Sequence, residues 1–190
     1  ALPHVQEGAA HTMLQQIRSQ ASAMQQLVDN LLAMARMQQG GVHLKREWLP
    51  VDELVGSALQ HMRERLAEHP VHTDIPPDLP LLNVDPVLME RVLVNLLDNA
   101  AKYTPPGAAI TLRGHCDGAH IQLAVQDAGP GLPQHMPSSE LFEPFTRGAP
   151  ESAVSGMGLG LALAHRIVQV HGGSLTATSA AEVHGAEAGT

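Results

Sequence analysis

The chain has 190 residues, enough for one domain and a fraction of a second, and 44% of them are hydrophobic. Eleven Lys and Arg against 19 Asp and Glu give a formal net charge of -8, which argues against sequence-independent binding to the phosphates of nucleic acids. One Trp, one Tyr and two Phe are too few to build a base-stacking surface for single-stranded nucleic acid.

The sequence carries no sign of secretion or of a membrane span. No apolar run approaches the roughly 18 residues that a spanning helix needs, and residues 1–4 lack the charged and apolar regions of a signal peptide. The single cysteine, Cys116, excludes an intramolecular disulfide and a Cys-rich zinc site. We expect a soluble region, and its single cysteine suits a reducing cytoplasm.

Residues 11–39 are predicted to form one long helix with a coiled-coil seam. Apolar side chains recur at alternating intervals of four and three residues, at Met13, Ile17, Met24, Leu27, Leu31 and Met34, with Gln20 at the one position of this repeat that is not apolar. Gly40 and Gly41 end the helix. Because no other predicted helix is long enough to pair with it, we expect it to pack against a second copy or against upstream sequence.

From about residue 41 the chain reads as one α+β domain. Helices are predicted at 51–67, 86–103 and 161–170, and strands at 42–48, at both ends of the Pro-rich segment 70–80, at 109–115, at 120–126 and at 174–179. Asp85 is the expected N-cap of the second of these helices, and Asp117-Gly118 the expected hairpin turn. Antiparallel strands with segregated helices argue against a doubly wound parallel fold.

The helix at 86–103 places three polar side chains on one face. Asn95, Asn99 and Lys102 fall within a wedge of about 60°, and the opposite side is apolar, with Leu93, Leu96, Leu97 and Ala100. Taken alone, this pattern favours a solvated face. An amide oxygen can also ligate a hard cation, and an ammonium can bind phosphate.

The long loop 127–160 begins and ends with a glycine-rich segment. Asp127-Ala-Gly129-Pro-Gly131 follows a predicted strand, and indicates either a tight turn or a carboxylate placed to accept from an exocyclic amine. Residues 156–160 precede a helix, where backbone N–H groups can bind phosphate. Their spacing fits neither a Rossmann fingerprint nor a Walker A loop.

Together these motifs resemble the catalytic ATP-binding domain of sensor histidine kinases, in the superfamily that includes gyrase, Hsp90 and MutL. The matching segments, in chain order, are the N box at 95–103, the first G box at 127–131, the F box at 141–145 and the second G box at 156–160. The resemblance implies a two-layer α/β sandwich of the Bergerat type, preceded by a long dimerisation helix. Within the sensor histidine kinases, four shorter segments resemble the potassium-responsive sensor kinases; they are 56–60, 90–95, 151–154 and 170–173.

The resemblance also implies a role for each motif residue toward ATP and Mg²⁺. Asn99 is the expected Mg²⁺ ligand with Asn95 in support, and Lys102 is expected to meet phosphate. Tyr103 lines the nucleotide pocket, and Asp127 accepts from the adenine amine. Shaping of the pocket and lid is implied for Gly129, Gly131, Gly156, Gly158 and Gly160, with Phe145 and Leu159 in the same binding set. Arg147 is expected to reach the γ-phosphate when the domain meets its substrate His.

One departure from the hydrolysing relatives bears on the reaction type. Gyrase and Hsp90 resemble this chain but place a Glu, the base for water, four residues before the metal-binding Asn; here that position is Asn95. An amide takes no proton at neutral pH, so transfer to a protein nucleophile is favoured over hydrolysis. A hydrolysing ATPase and a catalytically silent nucleotide-sensing module remain the alternatives.

The expected organisation is a fragment of a kinase. Residues 1–40 correspond to the second helix of the dimerisation domain and residues 41–190 to the catalytic domain without its last strand. None of the twelve histidines has the context of the family's phosphoacceptor, which is therefore expected upstream. The implied partners are a second copy, bound through residues 11–39, and a response regulator; the implied parent protein lies in the bacterial inner membrane.

Overall fold

The computed structural model places most of the chain. The residues it describes are 3–38, 43–133, 136–137, 140–146 and 158–179. They divide between two compact units, Ala1–Gly41 and Val42–Thr190. None of the helices in the described part is long and apolar enough to cross a membrane.

The first unit is a single helix, α1, which spans Pro3–Gln38. It begins earlier than residue 11, where the sequence pattern placed its start. Proline suits the first helical position because its missing N–H has no partner there, and Ala9 and Ala10 are strong helix formers. The prediction of a long helix is confirmed, and its N-terminal bound was wrong.

The second unit is an α+β sandwich, as predicted. Its helices are α2 (Val51–His61), α3 (Pro86–Tyr103) and α4 (Gly160–Val170), with one 3-10 turn at Glu140–Phe142. Its strands are β1 (Glu47–Leu49), β2 (Val71–Asp74), β3 (Leu82–Val84), β4 (Ile110–Cys116) and β5 (Ile121–Gln126). Strands β1 and β3 pair antiparallel, and β2, β4 and β5 form a second sheet, with β2 parallel and β5 antiparallel to β4.

Helix α3 forms where the sequence predicted it, because both of its ends are specified locally. The Asp85 carboxylate accepts from the backbone N–H of Leu88 at 3.2 Å, and Pro86 occupies the first helical position. Thr104 is extended, as expected for a residue that precedes a proline. The apolar side of α3 enters the core, where Leu97 and Ile110 of β4 are fully buried.

Two predicted elements differ in extent. The strand expected at 42–48 is reduced to β1, because its partner β3 pairs only three residues. Helix α2 stops at His61, although Met62 and Leu66 stay buried and Leu66 N donates to Met62 O at 2.9 Å in the turns that follow. Apolar periodicity continues through these turns, which is why the sequence pattern overestimated the helix.

The strand expected at 174–179 is not formed in the described part of the chain. Its side chains still alternate between half-buried and exposed, as the sequence indicated. A strand requires a hydrogen-bonded ladder with a neighbour, and side-chain alternation alone does not supply one.

Candidate functional site

The polar face of α3 is covered at its centre by the start of α4. Asn95 is only 4% exposed, while Asn99 and Lys102 are half-buried. A Cβ added to Gly160, the first residue of α4, would lie 3.2 Å from Asn95 Oδ1. The buried Asn95 Nδ2 has no hydrogen-bond partner among the described residues. Asn95 therefore does not lie on a solvated face, and its amide has an unused donor.

The segment before α4 packs tightly on residues 140–146. Gly158 has a φ of 68°, and a Cβ at this position would lie 2.5 Å from the carbonyl oxygen of Thr146. Phe145 N donates to Gly158 O at 3.0 Å, and Phe145 itself has a positive φ of 67°. The Phe142 ring stacks on His165 of α4 with a centroid distance of 4.8 Å. These contacts fix the F-box segment against the helix whose N-terminus faces Asn95.

The turn after β5 lies against the C-terminal end of α3. Asp127 Oδ1 accepts from Gly129 N at 2.7 Å, while its Oδ2 accepts from no described residue. A Cβ at Gly129 would lie 2.6 Å from that carboxylate and 3.0 Å from the carbonyl oxygen of Tyr103, so only glycine fits. Gly131 has a φ of 80° and approaches Ser179 Oγ. The exposed Asp127 and Tyr103 thus meet at one edge of the site.

Lys102 belongs to an ion-pair cluster that the sequence patterns did not identify. Its ammonium pairs with Asp98, and the other carboxylate oxygen of Asp98 lies 3.3 Å from Arg65 Nη2. The i,i+4 spacing of Asp98 and Lys102 was a usable signal for the first pair. Arg65 lies in the turns after α2, and no local pattern points to its contact with α3.

Three of the residues named from the sequence are placed differently or not at all. Arg147 and Gly156 lie outside the described residues. Leu159 is only 3% exposed and accepts at its carbonyl from Leu163 N at 3.0 Å, so its side chain packs in the interior. The structure therefore brings together the described members of all four boxes by three close approaches, at Gly129, Gly158 and Gly160.

The described residues contain no group of three or more His, Cys, Asp or Glu side chains that could hold a metal ion by themselves. A hard cation at Asn99 would depend on oxygen ligands from a bound molecule or from water. The groups available at this site are accordingly the amides of Asn95 and Asn99, the ammonium of Lys102 and the carboxylate of Asp127. The N-terminus of α4 lies beside Asn95.

The chain resembles known proteins throughout this region. The profile of the family described as histidine kinase-, DNA gyrase B-, and HSP90-like ATPase matches residues 84–190. The sensor protein KdpD of Escherichia coli (strain K12) is 48% identical over 172 residues, which is 90% of this chain and 19% of that protein. The adaptive-response sensory kinase SasA of Synechococcus elongatus is 34% identical and is covered to 44%, so the chain spans less than half of these curated relatives.

Solved structures give the same result. The mycobacterial sensor histidine kinase MprB is 32% identical with a TM-score of 0.58, over 69% of this chain and 83% of that one. Because the profile covers more than half of the chain and MprB is matched over most of its length, the chain belongs to the histidine kinase-, DNA gyrase B-, and HSP90-like ATPase family and, within it, to the sensor histidine kinases.

Proposed function

We propose that this chain binds Mg-ATP on the polar face of α3 and, within its full-length kinase, donates the γ-phosphoryl group to a histidine upstream. The observation that carries the proposal is the convergence of the box segments on one another. Three glycines lie close to another box segment: Gly160 to Asn95, Gly158 to residues 145–146, and Gly129 to Tyr103. A Cβ added at any of these glycines would lie 3.2 Å or less from an atom of that neighbour. A solved structure of full-length ShkA in complex with AMPPNP, 25% identical with a TM-score of 0.70, supports a nucleotide at a site of this fold.

Mg²⁺ fits the donor set of this face. Asn99 would supply an amide oxygen, and the phosphates of the nucleotide and water would supply the remaining oxygen ligands that Mg²⁺ prefers. Asn95 Nδ2, buried and without a partner, has a donor left for a phosphate oxygen or a water in that shell. When bound, Mg²⁺ neutralises charge on the transferred phosphoryl group.

The turn after β5 is suited to a purine. Asp127 Oδ1 is committed to Gly129 N, which fixes the carboxylate in place and leaves Oδ2 to accept from an exocyclic amine. The missing side chain at Gly129 lets this turn pack against the carbonyl oxygen of Tyr103, which brings Asp127 to the C-terminal end of α3. Adenine carries such an amine, which is the basis for the assignment.

Phosphate binding would involve Lys102 and the start of α4. The helix N-terminus presents backbone N–H groups and the positive end of its dipole, and the absence of a side chain at Gly160 lets it lie close to Asn95. Gly156 and Gly158 stay in the proposal as residues that shape the loop before this helix. Arg147 remains in the proposal as the group that reaches the γ-phosphate. Asn95 offers no base for water, so transfer to a protein nucleophile is favoured over hydrolysis.

The proposed partners follow from the family and from the relatives. Residues 1–40 would form part of the dimerisation domain, with self-association through residues 11–39, and residues 41–190 would form the catalytic domain. The phosphoryl group would pass from the histidine to a response regulator. The likeness to KdpD supports a KdpE-like regulator and a role in the potassium response of a membrane-bound parent.

The test is calorimetric titration of the chain with Mg-ADP. We expect Asp127→Asn to weaken binding at least about tenfold, because the lost interaction is a hydrogen bond to a charged carboxylate. Asp117→Asn is a matched control, since Asp117 also accepts from backbone N–H groups in a turn, at the far end of the β4–β5 hairpin. Equal affinity of the Asp127 variant and the unaltered chain would remove the adenine assignment.

A further inference from the structure

A row of three charged side chains leads from the turns after α2 to the polar face of α3. Arg65 Nη2 lies 3.3 Å from Asp98 Oδ1, and Asp98 Oδ2 pairs with the ammonium of Lys102. The side chains of Asp98 and Lys102 are 10% and 22% exposed, whereas that of Arg65 is 60% exposed. One shielded carboxylate is therefore shared by two cations, one on each oxygen.

Lys102 lies at the border between this cluster and the proposed phosphate site. At 100° per residue, it is about 40° around α3 from Asp98 and about 60° from Asn99 on the other side. An ammonium has three donors, and Asp98 uses one of them. The remaining donors can bind phosphate oxygens only to the extent that Asp98 does not draw the ammonium away.

Arg65 affects both the net charge of this cluster and the strength with which Asp98 binds Lys102. With Arg65, two cations and one carboxylate give the cluster a charge of +1; without it, Asp98 and Lys102 cancel. A shielded carboxylate that loses one of two cations also interacts more strongly with the one that remains. Both effects make Lys102 less available to an anion.

We propose that Arg65 is a positioning residue for nucleoside di- and triphosphates: by holding Asp98 Oδ1, it leaves the Lys102 ammonium available to phosphate oxygens. This inference rests on the proposed function, and it adds a residue outside the four boxes. Arg65 acts through Asp98 and need not touch the nucleotide.

The experiment is calorimetric titration of the 190-residue chain with Mg-ADP and, separately, with adenosine. We expect Arg65→Gln to raise the Kd for ADP about fivefold, the scale of one ion pair near the protein surface, and to leave the Kd for adenosine unchanged. Arg65→Lys keeps the charge and should restore part of the loss. Arg113→Gln is a matched control, because Arg113 is also 60% exposed and pairs with Asp74 at 3.8 Å, away from α3; it should change neither Kd.

A double-substitution cycle tests whether Arg65 acts through Asp98. In an Asp98→Asn background, Arg65→Gln should cause a smaller loss of ADP affinity than in the unaltered chain, because only the loss of its positive charge remains. A loss of the same size in both backgrounds, or an equal loss for adenosine, would overturn the inference. Should the Asp98 variant fail to fold, the comparison of ADP with adenosine in Arg65→Gln decides by itself. Failure of the unaltered chain to bind ADP would contradict the proposed function, whereas binding that Arg65→Gln leaves unchanged overturns this inference alone.

Discussion

At the scale of single residues, two glycines share a backbone conformation and differ in their surroundings. Gly158 and Gly172 have φ values of 68° and 85°, in the left-handed region that side chains disfavour. A Cβ at Gly172 would meet nothing within 4 Å, whereas one at Gly158 would lie 2.5 Å from Thr146 O. The requirement for glycine is thus only conformational at Gly172, and both conformational and steric at Gly158.

This difference predicts unequal costs of substitution. Gly172→Ala should lower the free energy of unfolding by about 1 kcal/mol, the cost of the left-handed conformation alone. Gly158→Ala should cost more, since the backbone of residues 145–146 must move, and it should also weaken binding of Mg-ADP. Urea denaturation and calorimetry of both variants measure the two effects. Equal losses of unfolding free energy in the two variants would show that the backbone of residues 145–146 can shift without destabilising the fold.

The site residues differ in how far the sequence could place them. Asn99, Lys102 and Asp127 could be named from the sequence as members of motifs, because spacing along one helix and position after a strand are local properties. Their roles toward the nucleotide stay predictions. The burial of Asn95 was not predictable from its own helix, since it depends on Gly160, which lies far along the chain. Arg65 is the extreme case, because its contact with Asp98 depends only on tertiary packing.

At the scale of elements, His171 joins the C-terminal end of α4 to the N-terminal end of α3. Its Nδ1 hydrogen-bonds to Ile167 O at 2.8 Å, and its Nε2 accepts from Asp85 N at 3.0 Å, which assigns the neutral tautomer with the proton on Nδ1. Asp85 Oδ2 accepts in turn from Lys45 N at 3.0 Å, and Arg46 donates to the carbonyl oxygen of His171. The two helices that form the proposed site are therefore held together at their other ends.

Removal of the ring should test this connection. His171→Ala leaves the backbone N–H of the buried Asp85 without its acceptor, and we expect a loss of about 1–3 kcal/mol in the free energy of unfolding. His72→Ala, at an exposed position on β2, is the comparison and should change it by less than about 0.5 kcal/mol. Urea denaturation measures both, and a His171 variant as stable as the His72 variant would contradict the structural role.

The β4–β5 hairpin contains a pH-dependent interaction. Backbone N–H groups of His120 and Ala119 donate to Asp117 Oδ1, at 2.7 and 3.0 Å, and lower the pKa of Asp117 from its ordinary value of 3.8. Because the folded-state pKa is the lower one, the carboxylate stabilises the hairpin above 3.8, and this contribution is lost as the pH falls through the folded-state pKa. In Asp117→Asn, the hairpin amides should therefore exchange faster than in the unaltered chain at about pH 6, and the difference should shrink as the pH is lowered below 3.8. A difference that persists in acid would assign the effect to side-chain geometry instead of charge.

At the scale of the whole molecule, local signals determined most of the fold. Caps and turns specified α3 and the β4–β5 hairpin, antiparallel strands with segregated helices predicted an α+β domain, and the family resemblance implied the two-layer sandwich. The parallel pairing of β2 with β4 and the pairing of β1 with β3 were not predictable, because each joins segments that are distant in sequence. Ladder formation also decided the outcome at 174–179, where periodicity was present and a strand was not formed.

The first unit presents an apolar seam. Four of its members, Met13, Ile17, Met24 and Leu31, are between 42% and 69% exposed, and the side chain of Leu27 lies outside the described residues. Such a seam, repeated every three and four residues, is the pattern by which helices pair. Two such helices, one from each copy, would bury less apolar area than a four-helix bundle does, so a weak association is expected.

We expect the chain to self-associate weakly through α1, with a dissociation constant that sedimentation measures from its concentration dependence. Leu31→Lys should raise that constant at least about tenfold, because each copy would lose a buried leucine worth roughly 1.5 to 3 kcal/mol and gain an unpaired charge. Gln25→Lys adds the same charge about 120° around the helix from Leu31 and should have little effect. Binding of Mg-ADP should be equal in both variants, since residue 31 belongs to the other unit. If Leu31→Lys leaves the assembly unchanged, the seam is not the interface between copies, and its apolar face must be covered by something other than a second α1.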